Sequence, residues 1–118
     1  MLSVTLRNEL LDHALQGSTL YLALLVDDGA GGKVELATPS YARQEITFDV
    51  ASNGEAKLSA DVLFPLATED WGAIKSFYIF DVPTGGDFKI AGDFSTAKAV
   101  GVDDQFKVGA GKLAIKLL

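Results

Sequence analysis

The stretch YARQEITFDVASNGEAKLSADVLFP, residues 41–65, constrains the fold more than any other part of the chain. From Arg43 onward apolar and polar residues alternate. Ile46, Phe48 and Val50 fall on one side and Glu45, Thr47 and Asp49 on the other, the pattern of a half-buried strand. Leu58, Ala60, Val62 and Phe64 repeat the alternation. Between the two runs lies Ser52-Asn53-Gly54, where Asn and Gly tolerate positive φ. The two runs therefore predict a β-hairpin, which Pro65 ends.

The same texture fills most of the chain. TLYLALLV reads as a buried strand, KVEL at 33–36 as a short strand after an acidic loop, and AIKSFYIFDV as the most aromatic strand. PTGGD at 83–87 is a turn. FKIAGDF follows, with a break at Gly92-Asp93, and AKAV, QFKV and KLAIKLL complete the series. The first segment differs. LRNELLDHAL places Leu6, Leu10, Leu11, Ala14 and Leu15 on one helical stripe, with Ser3 or Thr5 as cap and Gly17 as stop. One N-terminal α-helix, about 4–16, and eight or nine short strands at regular spacing predict a mostly β chain. The expected architecture is an antiparallel β-sandwich, jelly-roll-like, forming a single domain over 1–118 with the sandwich from about 19.

Charge and composition then narrow the function classes. Ten basic residues are outnumbered by sixteen acidic ones, for a net charge of −6, and they are spread out, so no nucleic-acid partner is expected. No apolar run approaches the ~20 residues that span a bilayer, and no membrane partner is expected. Arg7, Glu9, Asp12 and His13 break any secretory h-region. With no cysteine there is no disulfide, thiolate nucleophile or Cys-based zinc site.

The loop VDDGAGGKV is the most tempting motif. A phosphate-binding loop needs Gly, four residues, then Gly-Lys-Ser/Thr; here Asp27 stands at the first glycine and Val34 at the hydroxyl position. A calcium loop spaces its oxygen ligands at alternate positions, whereas Asp27 and Asp28 are adjacent. Asp103-Asp104 is a second acidic pair of the same kind. His13, the sole histidine, lies on the polar side of the helix without a nucleophile-elbow motif. Trp71, Phe77, Tyr78 and Phe80 suit a sugar-stacking platform, but a sandwich strand covered on both sides needs the same residues. No catalytic residue, metal ligand or cofactor is expected.

The chain as a whole resembles a family of small bacteriophage virion proteins commonly labelled tail fibre proteins. The words that carry the resemblance run almost end to end and in order: LRNELLDHALQG, YLALLVDD, YARQEITF, ASNG, FPLATEDWGAIKSFYIFD, TGGDFKIAGDF and DDQFKVGAGKLAIKL. The most specific are YAR before an alternating strand, FP-AT-DWG, and D-x-x-TGG. The segment VDDGAGGKVELATPS departs from the family by being shorter, and it is where a subunit-specific surface is expected.

The resemblance implies a non-enzymatic virion structural protein, made in the host bacterial cytoplasm. It would assemble with copies of itself, as a trimer, and with tail or major capsid proteins. Alternatives are a capsid decoration protein and a carbohydrate- or receptor-binding module at the tail tip, with a host-surface glycan as ligand. The candidate interaction surface comprises Asp27, Asp28 and Lys33 in the acidic loop and Leu113, Ile115 and Leu117 on the last strand. That last strand is expected to be paired, since exposed edges are completed by neighbours.

Overall fold

A computed structural model describes residues 2–116. The helix α1 (Val4–Gln16) is capped by Ser3, whose Oγ accepts from the Leu6 N–H at 3.1 Å. Nine strands follow among the described residues: β1 (Leu20–Asp27), β2 (Lys33–Glu35), β3 (Gln44–Ile46), β4 (Glu55–Lys57), β5 (Val62–Leu63), β6 (Gly72–Phe80), β7 (Ile90–Val100), β8 (Lys107–Val108) and β9 (Ala114–Lys116). All pairings between strands are antiparallel. The mostly β, antiparallel architecture with one N-terminal helix is the one the sequence predicts. Among the described residues no helix is long and apolar enough to cross a membrane.

The main sheet runs β2-β1-β6-β7, with β3 sharing β1's outer edge. β3 pairs the start of β1 (Leu20↔Ile46 to Leu22↔Gln44) and β2 its end (Leu25↔Glu35 to Asp27↔Lys33). β1 and β6 are central and buried on both faces, which accounts for their nearly continuous apolar sequence. Leu22, Leu24, Phe77 and Ile79 point to the main core. There they meet Phe48, Ala56, Leu58, Phe64, Phe106 and Val108, which come from the hairpin and from the short pairs β4–β9 and β5–β8.

The predicted hairpin forms. Asn53 (φ 55°) and Gly54 (φ 75°) make the turn, Ser52 and Glu55 exchange backbone hydrogen bonds, and Phe48 faces Leu58 across the arms. The alternation does not continue to its ends: Val50 is 70% exposed and Ala60 is exposed, not inward. The pairing near the turn passes through isolated bridges, so strict two-residue periodicity lapses there.

The helix buries only part of the expected stripe. Leu11 and Leu15 are buried, but Leu6, Leu10 and Ala14 are exposed. Asn8, Asp12 and Gln16, one turn apart, instead face the hairpin backbone. Asn8 accepts from the Gly54 N–H at 2.9 Å, Asp12 from the Ala51 N–H at 2.8 Å, and Gln16 donates to the Phe48 carbonyl at 2.6 Å. A tight turn leaves backbone groups without ladder partners, and the helix supplies them.

The segments FKIAGDF and AKAV, read as separate strands, belong to one strand, β7. Its register against β6 jumps from Ser76↔Asp93 to Ile74↔Lys98, so residues 94–97 bulge opposite Lys75.

Candidate functional site

Where β1 changes partner from β3 to β2, the Leu24 amide faces outward between them. Tyr41 fills the gap. Its hydroxyl accepts from the Leu24 N–H at 3.2 Å and donates to Glu35 Oε2 at 2.6 Å. Glu35 in turn receives a two-pronged bond from Arg43, Nε to Oε2 and Nη2 to Oε1, both at 2.9 Å. The guanidinium, with a side chain only 6% exposed, lies 3.4 Å over the Phe80 ring. It spends Nη1 on the carbonyls of Val82 (3.0 Å) and Gly85 (2.9 Å).

The electrostatics of this hub are those of a lock. Burial pushes the Glu35 carboxyl up, but bonds from Arg43 and Tyr41 and the guanidinium charge outweigh it and hold it below the ordinary value. The Arg43 guanidinium is held charged by its bond to Glu35 against the cost of burial. Burial, then the bond to Glu35, pushes the Tyr41 phenol upward. Every acid and donor is committed to another member, so the group holds structure and offers no free acid, base or nucleophile.

A second cluster adjoins it. Tyr41 stacks on Phe64 (centroids 6.1 Å) and meets Trp71 edge-on (5.9 Å). The Trp71 indole donates to Ser40 Oγ at 3.0 Å, and Glu69 accepts from the Ser40 N–H and hydroxyl and from the Thr68 hydroxyl. The Thr68 hydroxyl and the Ser40 amide lower the Glu69 carboxyl to about 2. The three most specific words of the sequence thus converge: Tyr41 and Arg43 from YAR, Phe64 and Trp71 from FP-AT-DWG, and the Gly85 carbonyl from D-x-x-TGG.

The predicted interaction residues fall elsewhere. In the loop after β1, Asp28 is committed to its own turn, accepting from the amides of Ala30 (2.7 Å) and Gly32 (3.0 Å), while Asp27 accepts from Gly29. Lys33 reaches Asp93 on β7 at 2.7 Å, and Asp93 also accepts from Ser76 at 2.6 Å. The loop is exposed but its carboxylates are largely satisfied. Among the described residues no group of three or more His, Cys, Asp or Glu side chains is placed to hold a metal ion. Leu113, just before β9, is buried in the core, and Ile115 on β9 packs half-buried against it, because β9 pairs with β4; neither forms an open apolar face. Leu117 lies outside the described residues. His13 is exposed on α1.

Over residues 1–116 the chain matches the family described as podophage GP4 fiber I protein gp80. The chain belongs to this family. It is a phage structural protein of the tail-fibre type and a component of the virion. None of the curated proteins matches it.

For a fibre-family subunit the surfaces that neighbours can reach matter more than a catalytic pocket. Three stand out. On one, Leu63 (52% exposed), Leu66 (57%) and Val102 (60%) lie on adjoining segments, since Ala67 and Asp103–Asp104 exchange backbone hydrogen bonds. On the second, Phe88 stacks on Tyr78 with centroids 4.1 Å apart and remains exposed. The third is a groove of about 650 Å³ between β7 and the β8–β9 side. Apart from Tyr78 and Phe77, on the aromatic strand, and Leu113 and Ile115 in the groove, none of these residues is marked in the sequence as a candidate site. Only the words converging on Tyr41 and Arg43 signalled, without explaining, a shared geometry within reach of sequence reading.

Proposed function

We propose that this fibre-family chain is a non-enzymatic assembly subunit that associates with copies of itself and mounts on other tail proteins. The observation that carries the reading is the apolar patch Leu63, Leu66 and Val102, which the fold leaves outside the core. Large side chains on adjoining segments, uncovered in the monomer, favour burial against another protein surface. The outward Val4, Leu6 and Leu10 of α1 add a second such face. The commitment of every acid and donor in the Tyr41–Arg43 hub to structure supports a rigid building block in place of an enzyme.

The test is the mass of the purified chain in solution. A homo-oligomer is expected, with a trimer as the state implied by the family resemblance, and Leu66→Asp with Val102→Asp should separate it into folded protomers. A monomer at micromolar concentration sinks self-association. A reconstruction of the virion distinguishes mounting on the tail from decoration of the capsid.

A second reading, a glycan-binding module at the tail tip, is favoured by the exposed Phe88, stacked on the half-buried Tyr78. Its test is a glycan array probed with the folded oligomer, in which binding must disappear with Phe88→Ala.

A further inference from the structure

We propose that the groove between β7 and the β8–β9 side receives an extended, carboxylate-bearing segment of another virion polypeptide, added as a strand. This deepens the assembly reading and rests on it.

The groove is lined by residues of three edge strands. β7 is the last strand of its sheet; β9 pairs with β4 and β8 with β5, and among the described residues none of the three has a strand on its other edge. Both sides therefore present backbone donors and acceptors that an inserted strand would satisfy. The floor is apolar. Phe94 contacts both Phe77 (centroids 5.1 Å) and Phe106 (5.5 Å), and Ile115 packs beside them. An alternating strand can place every second side chain on such a floor.

The charge of the rim identifies the occupant. Lys98, Lys107, Lys112 and Lys116 all line the groove, four of the eight lysines in a chain of net charge −6. Lys107 is paired with Asp61 at 3.4 Å, but among the described residues no carboxylate bridges to Lys98, Lys112 or Lys116. The one carboxylate in the lining, Asp93, is already held by Lys33 and Ser76. Clustering cations on an acidic protein creates a local field for an acidic partner.

Two alternatives fit less well. A second copy pairing β7 to β7 would bring like lysine rims together. An anionic sugar would stack on open ring faces, whereas Phe77 and Phe106 are buried and the half-buried Phe94 is packed against both.

The experiment titrates the full chain with a short, end-blocked peptide alternating Val and Glu, read by amide chemical shifts and hydrogen exchange. Binding is expected, with slowed exchange of amides within Ile90–Asp93 and weakening as salt rises. Lys98→Glu combined with Lys112→Glu, both exposed positions, should weaken it by about tenfold or more while circular dichroism is unchanged. The same peptide with Lys for Glu should not bind. The proposal is overturned if neither peptide binds, if both bind equally, or if an oligogalacturonate binds without protecting the β7 amides. It is also overturned if the double variant dissociates the oligomer, since a second copy would then occupy the groove. Failure of the peptide with the oligomer and virion incorporation intact removes the groove proposal alone; a monomer absent from virions removes the assembly reading.

Discussion

Tyr41→Phe tests the hub with a single oxygen. The ring stays, so its packing on Phe64 and Trp71 is kept and no cavity opens. What disappears is the acceptor for the Leu24 amide and the donor to Glu35. Leu24 is fully buried, so water does not readily replace the phenol, and an orphaned buried N–H costs about 1–3 kcal/mol. The bond to the carboxylate is charge-assisted and contributes roughly 1.5–3 kcal/mol, but Glu35 keeps the Arg43 fork, so only part of this is lost. The expected destabilisation is about 2–4 kcal/mol. Urea unfolding at fixed protomer concentration would show it as a lower midpoint with an unchanged slope. A loss below about 0.5 kcal/mol would refute the idea that the phenol replaces a missing ladder bond. A double-mutant cycle with Glu35→Gln then separates the two bonds, and a coupling of about 0.5 kcal/mol or more is expected for groups in direct contact.

Phe48→Ala and Phe64→Ala should each cost about 3–5 kcal/mol, because both rings are buried in the core. Val50→Ala, two residues along the same predicted face, should stay within about 0.5 kcal/mol in the same urea assay. Gly92→Ala should cost about 1–3 kcal/mol, since its Cβ would stand 2.6 Å from Phe77 Cζ, and adding Phe77→Leu should recover part of the loss. Acid should weaken the fold through Glu35 and Glu69. Both carboxyls titrate below their ordinary value when folded, so their stabilisation is present above about 4.5 and is lost as pH falls through the folded values, toward about 2 for Glu69. Urea midpoints from neutral pH downward should fall across that window, and Glu69→Gln should flatten part of the slope.

What the sequence made legible was local. Asn53-Gly54 specifies its turn through its own φ preferences, and Ser3 and Gly17 bound the helix through groups within one turn. The helix face was only partly legible, because what it meets is a hairpin backbone with unpaired groups, and Asn8, Asp12 and Gln16 answer those groups better than Leu6 and Leu10 do. The continuity of β7 was hidden for a related reason. Gly92-Asp93 reads as a strand end, yet the ladder to β6 resumes beyond the bulge. The hub was legible only as words: Tyr41, Arg43, Glu35 and the carbonyls of Val82 and Gly85 are far apart in the chain, and no periodicity joins them.

The fold treats the two sides of its main sheet differently, and the difference bears on assembly. β1's outer side is closed twice over, by β2 and β3, and at the gap between them by a tyrosine hydroxyl that stands in for a strand. Sealing that single amide takes a half-buried carboxylate, a guanidinium and two carbonyls. β7's side carries no comparable closure among the described residues; it has a bulge and a rim of lysines. A bulge and lysines are how a sheet avoids indiscriminate edge pairing. The rim lysines, of which Lys98, Lys112 and Lys116 have no carboxylate partner among the described residues, are set over an apolar floor; they repel another copy of the same rim but attract an acidic strand. One side is therefore finished within the chain, and the other is built to be finished by a different one.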